Sequence, residues 1–253
     1  MKRYFALLLL FCFFTTISEA QELFKTRRME AVGGVGISQF FGDIGGFSQT
    51  EDILGLKDII LNQTRFTIEG AIKYRVIPEV SLKVSFNFGM FHASDAKGSN
   101  EDRGMEATTM FFEPALTAEY YFIKSTQENK YSFIKGKNIR GSFFSFMDFY
   151  AFAGIGGLSY HVKGNEALVT AGMVNSGFTA VIPVGIGVNV NLNPDYNLGL
   201  ELGGRYSFSD YLDGYSPQYS KSNDVYYFLT FTFTYKIPTR KNGMPKFLSK
   251  SRF

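Results

Sequence analysis

Two histidines, His92 and His161, are the residues of this 253-residue sequence best suited to act as general bases at neutral pH. Ser159 precedes His161 by two positions, so a strand would place both side chains on one face, about 7 Å apart along the chain. An imidazole activates a hydroxyl only within hydrogen-bonding distance, so this pair would need help from a neighbouring strand. Histidines at strand ends also occur for purely structural reasons. We therefore predict no catalytic residue and keep lipid hydrolysis as an alternative of low rank.

Four aspartates offer the carboxylate oxygens that Ca²⁺ prefers as ligands. Asp210 and Asp213 precede Gly214 in one polar segment, and Asp224 and Asp43 lie elsewhere in the chain. Their spacing is not that of an EF-hand loop, and an Asp-Gly pair is also an ordinary turn former. Calcium binding, turn formation and bridging to lipopolysaccharide are therefore alternative hypotheses. No metal ligand and no cofactor is predicted.

The N-terminus is typical of a secretory signal peptide. A basic pair and an apolar stretch fill residues 2–14, and Ser18 and Ala20 supply the small residues that precede a cleavage site. Cleavage after residue 20 removes Cys12, the single cysteine of the sequence. The mature chain is therefore expected to form no disulfide and to use neither thiolate catalysis nor Cys-ligated metals.

Composition narrows the class of protein. A formal net charge of +3 argues against a nucleic-acid-binding protein, which would normally be strongly basic. The mature sequence has no apolar run of about 18 residues, so helical membrane spans are not predicted. An aromatic content of 17% argues against disorder. A soluble β-rich domain or a membrane barrel remains.

Alternation of apolar and polar residues is the dominant pattern, in segments of about ten residues, the length of a membrane-spanning strand. The clear segments are 65–76, 80–90, 112–122, 182–192, 198–208 and 225–235, and the Gly-rich segments 29–41 and 149–162 also have strand length. Eight strands, an even number, predict an all-β, eight-stranded antiparallel transmembrane barrel over residues 21–237. Long extracellular connections are expected at 42–64, 92–107, 163–177 and 210–224. Tight periplasmic turns are expected at 77–79 and 193–196, and a long periplasmic segment at 123–148.

Charged residues of these strands away from the strand ends all fall on the polar phase, which faces the barrel interior. An eight-stranded interior is only wide enough for its own side chains, and buried charges there must be paired. We therefore predict a plugged lumen without an open pore, held by an ion-pair network of Arg65, Glu69, Lys73, Lys83, Glu113, Glu119, Glu201 and Arg205.

Charges outside the strands are segregated by side. Acids outnumber bases in the extracellular connections, and bases outnumber acids in the periplasmic segments and in the tail, residues 238–253. Aromatic residues are interleaved with these bases, so we predict a docking surface for an acidic periplasmic protein, although a solvated basic tail would have a similar composition. The candidate docking residues are Lys130, Lys135, Lys137, Arg140, Arg240, Lys241, Lys246, Lys250 and Arg252. Outer-membrane lipid and lipopolysaccharide are the other expected partners, and nucleic acid is not one.

Several stretches of this sequence carry a family resemblance. They are Phe-Phe-Gly-Asp-Ile-Gly-Gly from residue 40, Ile-Pro-Val-Gly-Ile-Gly-Val from residue 182, Glu-Leu-Gly-Gly-Arg-Tyr-Ser-Phe-Ser-Asp-Tyr-Leu-Asp-Gly from residue 201 and Ser-Asn-Asp-Val-Tyr-Tyr-Phe from residue 222. Together they resemble the PorG-type outer-membrane barrels of Bacteroidetes. The resemblance implies a component of the type IX secretion and gliding machinery that ties a periplasmic ring to the outer membrane.

The sequence thus predicts a non-enzymatic barrel of the cell outer membrane that anchors a periplasmic assembly. A surface-binding, adhesin-like barrel acting through its acidic extracellular connections is the first alternative. An enzyme acting on outer-membrane lipid is the second. Loss of secretion or gliding on deletion would favour the anchor, and altered adhesion with unchanged secretion would favour the surface protein.

Overall fold

Eight antiparallel strands form a closed barrel in which each strand pairs with its neighbours in chain order. The computed structural model describes residues 27–45, 63–97, 101–125, 147–216 and 223–239. The strands are β1 (Met29–Phe41), β2 (Arg65–Ile77), β3 (Val80–Ser94), β4 (Glu106–Ile123), β5 (Met147–Gly164), β6 (Ser176–Asn191), β7 (Tyr196–Ser207) and β8 (Val225–Ile237). The predicted eight-stranded antiparallel barrel is confirmed.

Closure is made by β1, which pairs with β2 on one side and with β8 on the other. Met29 lies opposite Tyr74 of β2 and opposite Ile237 of β8. Beyond the strands, the backbone N–H of Arg28 donates to Thr239 Oγ1 at 3.2 Å, so the contact between the segments that precede β1 and follow β8 continues past the strand pairing. Closing the sheet leaves no unpaired edge, which is a requirement for strands in hydrocarbon.

Short helical segments lie in the connections. Two 3-10 turns, Asp95–Lys97 and Glu101–Arg103, follow β3, and a single helix, α1 (Glu166–Thr170), follows β5. Asn165 caps α1, because its side chain accepts a hydrogen bond from the backbone N–H of Leu168. No helix in the described ranges has the length and apolar character needed to cross a membrane.

Several strands are longer than the sequence predicted. β3 continues to Ser94, β4 begins at Glu106 and β6 begins at Ser176, so the connections predicted at 92–107 and 163–177 are shorter than expected. In the β3 extension the inward residues are the apolar Phe91 and Ala93 and the outward ones are His92 and Ser94, so the apolar-outward alternation is lost although the strand continues. At 18 residues, β4 exceeds the length that a bilayer requires, so its outer end projects beyond the membrane.

The barrel exterior is an uninterrupted apolar belt. Each strand contributes a large aliphatic or aromatic side chain that is at least 45% exposed: Val35, Ile72, Val84, Leu116, Ile155, Ile186, Leu200 and Phe231. Such a belt around a closed barrel is characteristic of a transmembrane β-barrel, since lipid tails rather than water cover it. The protein is therefore a small barrel of the outer membrane. The tight β2–β3 and β6–β7 turns and the β4–β5 connection lie at one end of the barrel, and the other four connections lie at the opposite end. In the orientation usual for this class, the end with the tight turns faces the periplasm.

Candidate functional site

The inner half of the lumen is organised around Lys83 of β3. Its Nζ atom lies 2.7 Å from Glu201 Oε2 of β7 and 3.2 Å from Glu69 Oε1 of β2. Glu119 Oε1 of β4 lies 3.8 Å from the same ammonium group. All four side chains are almost fully buried. The ammonium group on β3 therefore binds carboxylates of β2, β4 and β7, and β7 is not a neighbour of β3 in the barrel.

A second lysine and two tyrosines complete this cluster. Lys73 Nζ lies 2.8 Å from Glu119 Oε2, which also accepts a hydrogen bond of 2.8 Å from Tyr121 OH. Tyr150 OH donates to Glu201 Oε1 at 2.6 Å. The Tyr121 hydroxyl thus shares Glu119 Oε2 with Lys73, whereas the Tyr150 hydroxyl serves the Glu201 oxygen that Lys83 does not contact at hydrogen-bonding distance. We refer to Lys73, Lys83, Glu69, Glu119, Glu201, Tyr121 and Tyr150 as the lysine cluster.

A separate cluster surrounds Glu113 of β4. Tyr226 OH donates to its Oε2 atom, and Asn87 Nδ2 donates to its Oε1 atom at 3.3 Å. Arg205 Nε lies 3.6 Å from Oε1, and the Arg205 guanidinium carbon lies 4.1 Å from the centre of the Phe228 ring. The glutamate is fully buried, so these neighbours replace the water that it would otherwise require.

The eight residues predicted to form one lumen network are thus divided. Seven belong to the two clusters, whereas Arg65 is half-buried at the outer end of β2, where its guanidinium donates to the carbonyl of Thr64. The sequence prediction missed a further inward pair, Glu30 with Arg75, whose Oε1 and NH2 atoms lie 2.9 Å apart. Glu30 shares the inward phase of β1 with Ser38, and this signal could have placed it in the lumen.

The outer half of the lumen is filled by aromatic rings. Phe91 is central: its ring centroid lies 4.3 Å from that of Phe111, 4.8 Å from Tyr226 and 5.4 Å from Phe40. Phe228 also stacks on Phe111 at 5.4 Å. Around these rings lie the buried aliphatic residues Leu158, Val162, Leu168, Val181 and Leu212. This aromatic plug and the two polar clusters fill the described barrel interior with buried side chains.

The mouth above the plug is covered by an extracellular cap, which consists of the described residues that connect β1 to β2, β3 to β4, β5 to β6 and β7 to β8. Asp213 joins two of these connections, because its Oδ2 accepts the backbone N–H of Ile44 at 3.0 Å. Its Oδ1 accepts the N–H of Tyr215, also at 3.0 Å. Asp224 Oδ2 accepts the N–H of Leu212 at 2.8 Å.

The β3–β4 connection is fixed by a buried ion pair. Asp95 Oδ1 accepts the N–H of Gly45 at 2.9 Å and lies 3.0 Å from Arg103 NH2. The same guanidinium donates to the backbone carbonyl of Asp43 at 2.9 Å. The β1–β2 connection is therefore held from two sides, by Asp95 and by Asp213.

The β5–β6 connection closes the cap. Leu168 of α1 is fully buried in the plug, and the N–H of Val174 donates to the carbonyl of Gly214 at 3.0 Å. Thr109 of β4 donates its hydroxyl to the carbonyl of Leu212 at 2.6 Å. All four extracellular connections are thus joined to one another or to the barrel by hydrogen bonds and buried side chains.

The four aspartates considered as calcium ligands do come together in this cap. Burial raises the pKa of Asp213 to about 7, against the two backbone N–H donors that lower it, and the charges of Asp43 and Asp210 add to the rise. Burial also raises the pKa of Asp224 well above its usual value, with the charge of Asp213 as the next cause. No group of three or more His, Cys, Asp or Glu side chains in the described part of the chain is arranged to hold a metal ion. Asp213 and Asp224 instead accept hydrogen bonds from backbone N–H groups of the connections.

The two histidines lie on the outward face near the outer rim. His92 Nδ1 lies 3.1 Å from Thr108 Oγ1, and its Nε2 lies 3.5 Å from Glu106 Oε1, across the β3–β4 pair. Ser159 and His161 share the exposed face of β5, and no hydrogen bond joins them in the described structure. The Ser159 hydroxyl is therefore not held by the His161 imidazole, which would be needed to activate it.

The periplasmic rim uses its described bases internally. Arg27 NH1 lies 2.6 Å from Asp195 Oδ1 in the β6–β7 turn, and Lys236 Nζ donates to Asn191 Oδ1 at 3.1 Å. The predicted docking residues lie outside the described ranges: Lys130, Lys135, Lys137, Arg140, Arg240, Lys241, Lys246, Lys250 and Arg252. The predicted signal peptide, residues 1–20, also lies outside them.

Comparison with known proteins identifies the family. The profile described as "Domain of unknown function (DUF6089)" matches residues 2–242, and the chain belongs to this family. No curated protein matches its sequence significantly.

Solved outer-membrane barrels are similar in architecture. Neisserial surface protein A is 12% identical with a TM-score of 0.45, over 83% of this chain and 97% of that one. The N-terminal barrel domain of Pseudomonas aeruginosa OprF is 11% identical with a TM-score of 0.45, over 83% and 98%. Outer membrane protein W of E. coli is 15% identical with a TM-score of 0.39, over 84% and 98%. At this level of likeness the roles of these proteins do not transfer to the chain.

Proposed function

We propose that this member of the DUF6089 family is a non-enzymatic outer-membrane anchor for a periplasmic protein assembly, and that the assembly is the type IX secretion machinery. The observation that carries the proposal is the filled lumen. The lysine cluster, the Glu113 cluster and the aromatic plug occupy the described interior from the periplasmic end to the cap. A barrel without a conduit acts through its two exposed ends.

The periplasmic end is favoured as the binding end because the basic segments of the sequence are connected to the barrel there. The Lys- and Arg-rich segment 126–146 lies between β4 and β5, and the acid-free tail from residue 240 follows β8. The base of the tail is fixed by the bond between Thr239 and Arg28 at the β1–β8 seam. Basic segments on the periplasmic side of a fixed barrel suit an acidic partner, since complementary charge speeds encounter and sets orientation.

The type IX pathway is supported by the resemblance of the segments at residues 40, 182, 201 and 222 to PorG-type barrels. In that family the barrel is thought to tie a periplasmic ring to the membrane. The identity of the partner as a subunit of that ring is part of the proposal.

A surface-binding role is the second candidate. The cap exposes apolar side chains outside the membrane: Val169 is 56% exposed, Tyr211 43% and Val174 39%. Exposed apolar groups among acids suit contact with another molecule at the cell surface.

The test compares two charge variants expressed from the native locus. One replaces the nine predicted docking bases by Gln, and the matched control replaces two exposed residues at the cap end, Asp102 by Asn and Lys163 by Gln. The anchor role predicts that only the first variant loses co-purified secretion-ring subunits and secretes less protein. Unchanged secretion in the first variant would overturn it. Altered cell adhesion in a variant with Val169, Val174 and Tyr211 replaced by Ser would favour the surface role.

A further inference from the structure

The extracellular cap is joined by two buried aspartates whose only described partners are backbone N–H groups. Asp213 and Asp224 are 1% and 2% exposed. They hold Ile44 and Leu212, which are themselves 2% and 0% exposed and close the top of the aromatic plug. We propose that Asp213 and Asp224 form a proton-dependent latch that holds the cap over the barrel mouth and releases it as the pH rises.

The charged surroundings of the latch favour its protonated form. Asp43 from the β1–β2 connection and Asp210 from the β7–β8 connection are the charged neighbours that act on both carboxyl groups, and both are acidic. Arg103, the base on the β3–β4 connection, forms an ion pair with Asp95 and a hydrogen bond to the backbone carbonyl of Asp43. Its described polar contacts are therefore not with the latch carboxyl groups. The contacts from β4 and from the β5–β6 connection are the hydroxyl of Thr109 and the backbone N–H of Val174, neither of them charged.

One oxygen of each of two acids has no described hydrogen-bond donor. Asp224 Oδ1 and Asp210 Oδ1 are buried without a partner, whereas Asp224 Oδ2 is occupied by Leu212. A buried carboxylate oxygen without a donor is costly when charged, and a proton on the group removes that cost. An ionised Asp224 therefore carries this cost, and its charge is also repelled by Asp213 and Asp210 at the point where two connections meet.

The sign of the pH dependence follows from this burial. The pKa of Asp213 is about 7 in the closed cap, and burial raises that of Asp224 in the same direction, so the closed cap binds more protons than an open one with ordinary aspartates. Closure is therefore most favourable below the ordinary aspartate pKa of about 4 and weakens as the pH rises towards and past 7. Release would free Ile44 and Leu212 from their carboxylate acceptors and expose the aromatic plug.

Deuterium exchange of the two donor amides tests the latch directly. The mature chain, refolded in detergent micelles with a chelator present, is compared at pH 5.5 and pH 8.5, and protection factors are corrected for the intrinsic exchange rate. We expect the protection of the Ile44 and Leu212 amides to fall about tenfold or more at the higher pH, as one uncompensated pKa shift of a unit or more requires. Amides in the β1–β8 pairing should change little and serve as the internal reference.

Two isosteric variants separate titration from structure. Asp224→Asn and Asp213→Asn keep an oxygen acceptor but cannot ionise, so each should keep high protection at pH 8.5 and reduce the pH dependence. Asp102→Asn, an exposed acid of the cap, should behave as the native chain does. Equal protection of the native cap at both pH values would overturn the proposal. An undiminished fall in both Asn variants, each shown to be folded by its gel mobility without heating, would also overturn it.

Discussion

Lys83 Nζ and Glu201 Oε2 lie 2.7 Å apart across the lumen, on strands β3 and β7 that do not pair with each other. Backbone hydrogen bonds connect only neighbouring strands, so this ion pair bridges the barrel where the ladder does not. Glu69 and Glu119 lie near the same ammonium group, so Lys83 compensates the charge of three buried carboxylates. The cross-section of the barrel therefore depends on a side chain as well as on strand pairing.

Replacing Lys83 by Met should destabilise the barrel by about 3–5 kcal/mol, because removal of one partner leaves buried charge uncompensated. The measurement is urea unfolding in lipid vesicles, followed by the different gel mobilities of folded and unfolded barrel. Lys163→Met, at an exposed position at the outer end of β5, is the matched control and should change little.

Adding Glu201→Gln to Lys83→Met should restore part of the lost stability, since one of the stranded carboxylates is then neutral. A loss below about 1 kcal/mol for Lys83→Met, a value typical of exposed ion pairs, would show that the lysine cluster is solvated.

Gly187 leaves space for Tyr150, the tyrosine that donates a hydrogen bond to Glu201 in the lysine cluster. Gly187 lies opposite Tyr150 in the β5–β6 register, and a Cβ atom there would come within 2.3 Å of the tyrosine ring. Gly187→Ala should push Tyr150 away from Glu201 and destabilise the barrel by about 1–3 kcal/mol, the usual range for overpacking. The unfolding assay above measures this.

Gly70→Ala is the control for that substitution. A Cβ atom at Gly70 points away from the lumen and meets no atom within 4 Å. Its effect should be small or slightly stabilising, because alanine reduces the freedom of the unfolded chain. Equal losses for the two variants would mean that the space beside Tyr150 is not the limiting factor.

The sequence was most informative where the two faces of a strand differ in polarity. In β2 the outward Phe66, Ile68 and Ile72 alternate with Glu69 and Lys73, so the phase was evident and seven of the eight predicted lumen charges do face the interior. Arg65 has the same phase but stands where the strand leaves the membrane. Phase alone carries no information about depth.

The aromatic plug was not predictable by the same means. Phe91, Phe111 and Phe228 occupy inward positions that alternation reserves for polar residues, so the outer ends of β3 and β4 lost their pattern. The hydrogen bonds of the cap were also not predictable, because bonds such as that between Asp213 and Ile44 join residues 169 positions apart. Only the closed barrel brings such positions together.

Tyr226 links the plug to the Glu113 cluster, and its hydroxyl is a donor to that buried carboxylate. Tyr226→Phe keeps the ring contacts and removes the donor, so the loss should be about 1–3 kcal/mol, the cost of leaving a buried acceptor unsatisfied. Tyr227→Phe, on the outward face of the same strand, is the matched control and should have a smaller effect. If the two variants unfold at the same urea concentration, the hydroxyl of Tyr226 contributes no net stability.

Two valines on the outward face test the placement of the barrel in the bilayer. Val84 is the fifth residue of β3 from the periplasmic β2–β3 turn and is 45% exposed, whereas Val76 lies beside that turn and is 42% exposed. Because the cost of a lipid-facing charge depends on depth, Val84→Arg should destabilise the folded barrel in vesicles by about 2–4 kcal/mol and Val76→Arg by about 0–1 kcal/mol. Both are measured as the change in the free energy of unfolding in urea. Equal and small losses at both positions would contradict a membrane-embedded belt, since residue type and exposure are matched and only depth differs.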